Sequence, residues 1–214
     1  ARRASEMPRL APGGRDPGEL IHGLITGGDY ALVRSVEGFE DYVAFGRRQL
    51  RDAGVGPGDV VVAITEGGET SSVIGAAWEG VSAGARVFFL CNNPAEDLIR
   101  HVPRSRDVLT CPEITHLDLT SGPMAVAGST RMQATTCQIL VVGAALELAL
   151  KDLLAGRLDE AARRRHGLDG EVNEYPERLA RLLGELAQPA AGAALAALAG
   201  CEAEVFGRRG AVTY

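Results

Sequence analysis

At 214 residues the chain is long enough to bury one good core, or one domain and part of another. Its 46% hydrophobic and 23% charged residues are ordinary for a globular protein, and a net charge of −6 argues against broad nucleic-acid binding. Four dispersed cysteines (Cys91, Cys111, Cys137, Cys201) form no C-x-x-C pair and four dispersed histidines do not cluster, so free thiols in a reducing compartment are expected and a metal site is not.

The first 20 residues are rich in Arg, Pro and Gly and read as a short helical piece over 1–7, then a loop through Gly18. Residues 20–26 are apolar enough for a strand, ended by Gly27-Gly28-Asp29, and the spacing over 30–52 predicts a helix. The loop 54–58 leads into the stretch around which the chain is organised. Val60-Val61-Val62-Ala63-Ile64 is a short β-branched run, read as a buried strand. Thr65-Glu66-Gly67-Gly68-Glu69-Thr70-Ser71-Ser72 follows with no apolar residue, and Val73, Ile74, Ala77, Trp78 and Val81 then recur at helical spacing.

A strand entering a glycine–hydroxyl loop that opens a helix is a natural anion site. Backbone N–H groups and the positive end of the helix dipole converge there, and hydroxyls can donate to phosphate oxygens. The same residues would also make an ordinary strand-to-helix turn with Ser or Thr as N-cap.

Further on, residues 86–91 predict a second buried strand, Asn92-Asn93-Pro94 a turn, residues 107–110 a weaker strand and 116–119 a last short one. Strands alternating with helices at this spacing imply βαβ units. The expected fold is an α/β three-layer αβα sandwich, its mostly parallel sheet covered on both faces, with ligands at the carboxyl ends of the strands. Gly122-Pro123 leads through Gly128-Ser129-Thr130-Arg131-Met132 into a helix running to about Leu150. Its 139–142 segment is apolar on every side, which places it at the centre of the domain or beneath another subunit.

After it, residues 157–166 are charged, 171–188 amphipathic and 189–200 alanine-rich. They read as a helical appendage or connector over 151–200, with Arg163-Arg164-Arg165 a solvated face. No membrane span is expected: the apolar stretch 139–150 is too short and contains Glu147. With Lys151 the single lysine, Schiff-base chemistry is not expected unless Lys151 is itself the nucleophile, and no cofactor is called for. Ala1 in place of an initiator methionine, and a closing Gly210-Ala211-Val212-Thr213-Tyr214 that reads like a strand just starting, suggest a fragment.

Four ordered motifs resemble the sugar isomerase (SIS) domain family, in particular its N-acetylmuramic acid 6-phosphate etherase and glucokinase-regulator branches. Leu24-Ile25-Thr26-Gly27-Gly28 followed by Val36-Glu37-Gly38-Phe39-Glu40-Asp41 is similar to L-I-A-G-G … V-E-G-A-E-D. Gly68-Glu69-Thr70 resembles the S-x-S-G-E-T phosphate loop, and Gly122-Pro123 … Gly128-Ser129-Thr130-Arg131-Met132 resembles G-P-E-V-x-x-G-S-T-R-M. Ala4-Ser5-Glu6-Met7-Pro8 is a weaker match to A-S-E-C-P-P.

The resemblance implies a SIS domain over 1–150 of flavodoxin-like or Rossmann-like type. Its first strand and G-x-G-T-S-G-R loop would precede Ala1, and a second such domain would open within 201–214. It further implies a cytoplasmic, homodimeric lyase acting on a sugar phosphate, with no nucleic-acid or membrane partner. In such chemistry a base removes the proton beside the open-chain aldehyde, an acid protonates the departing lactyl oxygen, and water adds to the alkene. Glu6 then matches the acid and Glu40 the carboxylate that handles water or the substrate proton. Thr65, Glu66, Gly67, Gly68, Thr70 and Ser71 would bind phosphate, and Arg131 with Ser129 and Thr130 would clamp a carboxylate or phosphate.

Two departures stand out. Glu66-Gly67-Gly68-Glu69-Thr70 replaces A-S-G-R-T, and Met132-Gln133-Ala134-Thr135-Thr136 replaces M-K-A-G-T. Each new carboxylate would repel phosphate unless it turns away or binds sugar hydroxyls. The resemblance to the glucokinase regulator keeps a non-catalytic sensor as the second reading, and a degenerate dimerisation domain as a third.

Overall fold

The computed structural model describes residues 20–34, 38–126, 129 and 132–212. The chain divides into two compact units, residues 1–157 and 158–214.

The first unit is built on three parallel strands, β1 (Val60–Ile64), β2 (Arg86–Cys91) and β3 (Ile114–Asp118), in the order β1-β2-β3. Val60 pairs with Arg86 and Val87 with Ile114, so all three carboxyl ends open on one side. Helices α1 (Val43–Asp52), α2 (Ser71–Ser82), α3 (Ala95–His101) and α4 (Pro103–Leu109) supply the crossovers and the cover. Val61 and Ala63 of β1, Val87, Phe89 and Cys91 of β2, and Ile114 of β3 share one core with Leu50, Ile74, Ala77, Leu98 and Val108 from the helices. The α/β class and the parallel sheet are as expected.

On β1 the expectation of a strand buried on both faces is corrected. Val60, Val62 and Ile64 keep 60%, 44% and 38% exposure, and only Val61 and Ala63 are buried. The side chains of Val60, Val62 and Ile64 share the face of β1 that the described residues leave uncovered.

α1 and α2 touch backbone to backbone. A Cβ on Gly75 would lie 2.0 Å from the Val43 carbonyl oxygen, and one on Gly46 1.7 Å from that of Ser72. Across the same contact Arg51 Nε and Nη2 donate to Glu79 Oε1 and Oε2 at 2.8 and 2.9 Å, and Arg47 lies 3.5 Å from Oε2. The Arg51 hydrogen bonds hold the buried Glu79 carboxyl below its ordinary range, against burial, which pushes it up. A carboxylate depressed in the folded state stabilises above its unfolded pKa and loses that stabilisation as pH falls through the folded value. Denaturant midpoints taken from pH 7 down to pH 3 should therefore fall, and fall less steeply in Glu79→Gln. Parallel curves would remove Glu79 as a source of the acid sensitivity.

Three local expectations are overturned. Residues 20–26 form no strand: Leu20, Leu24 and Ile25 are exposed, and the described residues offer them no neighbouring ladder. Among the described residues of 30–52 the α-helix is confined to α1. Short 3-10 turns at Asp29–Leu32 and Phe39–Asp41 replace its first half, and Gly38 at φ 87 breaks the helical path. Residues 107–110 belong to the end of α4 and not to a strand. Pro103 opens that helix, and Ser105 and Val108 point inward three residues apart. The last strand lies at 114–118, beginning two residues and ending one residue earlier than read.

α5 (Gln133–Leu154) ends the first unit. Ile139 is 67% exposed, and Leu146 and Leu148 are exposed too, so this helix is not at the centre of the domain. Lys151 sits 3.8 Å from Glu147 one turn away.

The second unit holds α6 (Glu160–Arg165), a 3-10 turn (Val172–Glu174), α7 (Tyr175–Leu186) and α8 (Pro189–Gly207). Asp159 caps α6 by accepting from the Ala162 N–H at 2.7 Å. Arg163, Arg164 and Arg165 are exposed, Arg164 pairing with Glu160, which fits a solvated face. α8 is long and apolar enough to cross a bilayer by length and composition alone, and it carries Glu202 and Glu204. Residues 210–212 form no strand, while Thr213 and Tyr214 lie outside the described residues.

Candidate functional site

At the carboxyl ends of the strands the loop after β1 is held from four sides. Thr65, 4% exposed, and Thr70 join their hydroxyls at 2.9 Å. Thr70 occupies the N-cap of α2 yet makes no side-chain capping bond, so its hydroxyl does not fill the ordinary cap role. Gly68 takes φ 79 beneath Leu98 and Cys91, where a Cβ would come within 2.5 Å of Leu98 Cδ1. Three successive loop carbonyls accept hydrogen bonds from neighbouring segments. Asn93 Nδ2 donates to Gly67 O at 3.1 Å, Ser105 Oγ to Gly68 O at 2.7 Å, and Arg104 Nε to Glu69 O at 2.7 Å.

Both unexpected carboxylates have partners. Glu69 Oε2 lies 3.4 Å from Arg104 Nη2, and Glu66 Oε1 accepts from Thr135 Oγ1 of α5 at 2.5 Å. One turn further along α5, Gln138 Nε2 donates to Asn92 Oδ1 at 2.7 Å. Asn92, 1% exposed, sends its N–H to Glu66 O at 2.9 Å and its Nδ2 to Leu119 O at 2.8 Å. The loops after β1 and β3 and the start of α5 thus meet on one buried amide.

Two other motif regions lie against this loop or the helix it opens. Thr26 Oγ1 is 2.9 Å from Ser72 Oγ in the first turn of α2, and Ile25 O accepts from Gln49 Nε2. Glu40 is exposed on the Phe39–Asp41 turn, which packs against α2 and α1. Ser129 is half-buried, its N–H donating to Val126 O at 3.0 Å. Met132, closing that motif, takes φ 71, a conformation rare away from glycine. Glu6, Thr130 and Arg131 lie outside the described residues.

The motifs do not single out Asn92, Arg104, Ser105 or Gln138, and Thr135 enters them only as part of the departure from M-K-A-G-T. The one available signal was that Asn92 directly follows a strand of a parallel sheet.

Beneath the loop, Cys91 Sγ lies 3.4 Å from His116 Nε2. Burial pushes the thiol up to about 11, with Asp118 adding to the effect, and burial pushes the imidazole down. Both groups are thus neutral near pH 7, unlike an activated thiolate–imidazolium pair. Iodoacetamide at pH 7.5 should label exposed Cys201 and spare Cys91 until denaturant is added, as read by peptide mass spectrometry. Equal labelling rates in the folded protein would contradict this burial. Among the described residues no three His, Cys, Asp or Glu side chains gather as a metal-ligand group.

No family model matches the chain. Curated proteins do. The chain is similar to N-acetylmuramic acid 6-phosphate etherases. The one from Deinococcus radiodurans is 38% identical over 133 residues, covering 62% of this chain and 40% of the relative. That from Synechocystis is 37% identical over 137 residues, with 62% and 41% covered, and that from Salinibacter ruber 38% over 140, with 65% and 40%. The chain therefore spans about two fifths of the length of the etherases it matches.

Proposed function

We propose that this chain is the sugar-phosphate-binding core of an etherase-like carbon–oxygen lyase acting on N-acetylmuramic acid 6-phosphate, with D-lactate as a product. The observation that carries the reading is the convergence of separate motif regions on one loop: Thr26, the Glu40 turn and the first turn of α5 all lie against the Thr65–Ser72 loop or the α2 helix it opens. The similarity to proteins curated as etherases gives that convergence a chemistry. Thr65, Glu66, Gly67, Gly68, Thr70 and Ser71 form the phosphate cradle, while Ser129, Thr130 and Arg131 hold the second anionic group. Glu40 handles the substrate proton or the incoming water, and Glu6 protonates the lactyl oxygen.

Residues 1–150 are then a SIS domain and 151–200 a connector. The enzyme is cytoplasmic, where phosphorylated sugars are held, and acts as a homodimer through the exposed apolar side of α5.

The test is release of D-lactate from N-acetylmuramic acid 6-phosphate by the full-length protein. Release supports the lyase. Stabilisation by the sugar phosphate without lactate would replace it with a sugar-phosphate sensor, and neither response would overturn both.

A further inference from the structure

The loop proposed to hold phosphate carries two carboxylates and no cation of its own. A cation reaches it from α4. Arg104 Nε is bonded to the Glu69 carbonyl oxygen at 2.7 Å, one residue before the N-cap of α2, and Nη2 lies 3.4 Å from the Glu69 carboxylate. Next along α4, Ser105 fixes the preceding loop carbonyl, so the start of this helix is seated on the loop. The Arg104 and Glu69 side chains are 50% and 46% exposed. Such a half-exposed, single-contact ion pair is weak. A guanidinium has five N–H donors, and here two of them meet Glu69. A phosphate dianion offers a guanidinium two parallel charge-assisted bonds, more than this carboxylate does.

We propose that Arg104 is the cation of this anion site and that Glu69 is its internal competitor, displaced when a phosphorylated ligand seats on the α2 amides. This rests on the sugar-phosphate reading above and extends it to a residue outside the motifs. The two side chains then have opposite effects on affinity. Removing the competitor frees the cation, and removing the cation leaves an anion beside two carboxylates. Glu69 also sets selectivity, because a ligand without a dianionic group cannot displace it.

Calorimetric titration of the full-length protein with N-acetylmuramic acid 6-phosphate, and separately with inorganic phosphate, tests this. Relative to wild type, Glu69→Gln should bind about threefold or more tighter. Arg104→Ala should bind roughly tenfold or more weaker, the loss of one charge-assisted contact, and Arg104→Lys should fall between. In the Arg104→Ala background Glu69→Gln should gain less than it does in wild type, only the relief of its own repulsion, since a competitor without its cation has nothing to contest. Unchanged or weaker binding in Glu69→Gln overturns the proposal and leaves Arg104 a clamp on the loop backbone. A folded wild type that binds neither probe overturns the sugar-phosphate reading itself, and this inference with it.

Discussion

Gly75→Ala should cost the first unit most or all of its stability. The added methyl carbon would sit 2.0 Å from the Val43 carbonyl oxygen and 2.9 Å from its carbon. These are main-chain atoms of α1, so no rotamer change relieves the overlap, and the two helices must separate. Overpacking within a core ordinarily costs about 1–3 kcal/mol, taken up by yielding side chains. Here the side chains of both helices would move apart together, opening the core between Leu50 and Ile74, against a total stability of only about 5–15 kcal/mol. Gly46→Ala should behave alike, its Cβ falling 1.7 Å from the Ser72 carbonyl oxygen. Gly143→Ala is the control: it lies on exposed α5 with nothing within 4 Å, and should gain about 0.5–1 kcal/mol from helix propensity. Denaturant melts followed by circular dichroism separate the three, and a Gly75→Ala midpoint equal to wild type would contradict the backbone contact.

On the proposed lyase reading, Glu40→Gln should lower D-lactate release from N-acetylmuramic acid 6-phosphate by about 10²–10⁴-fold, the usual contribution of a positioned acid or base. Because Glu40 is exposed on a turn outside the hydrophobic core, the variant should melt like wild type. The loss should appear in kcat with KM nearly unchanged, as expected when a group acts only in the transition state. Glu6→Gln in the same assay should be lost at the step that expels lactate. Retention of more than a tenth of the wild-type rate in Glu40→Gln would pass the proton-handling role to another group.

What could be read from the chain alone follows from how local each signal is. Val60–Ile64, the glycine–hydroxyl loop, α2 and β2 are each announced by their own residues, and each stands where the pattern put it. Leu20–Thr26 has a strand's composition, but a strand is a property of a pair, and the run alone does not reveal whether a partner lies beside it. Val108-Leu109 looked like strand core because two apolar residues stand together, whereas the decisive signal was Pro103 five residues upstream. The site divides in the same way. Thr65, Gly68 and Thr70 were legible because a loop's chemistry sits in consecutive residues. Arg104, Ser105, Thr135 and Gln138 lie 35 to 69 residues from their partners, and only folding brings them near.

Asn92 has a mechanical consequence for the whole mouth of the sheet. Its amide is shut away from water and is spoken for by Leu119 on one side and Gln138 on the other, while its own N–H holds Glu66. If any one of these segments peels away, a polar group is stranded in a place solvent does not reach, and that penalty falls on the segments left behind. The three pieces therefore open together or stay shut together. Any ordering of the loop would carry into the first turns of α5.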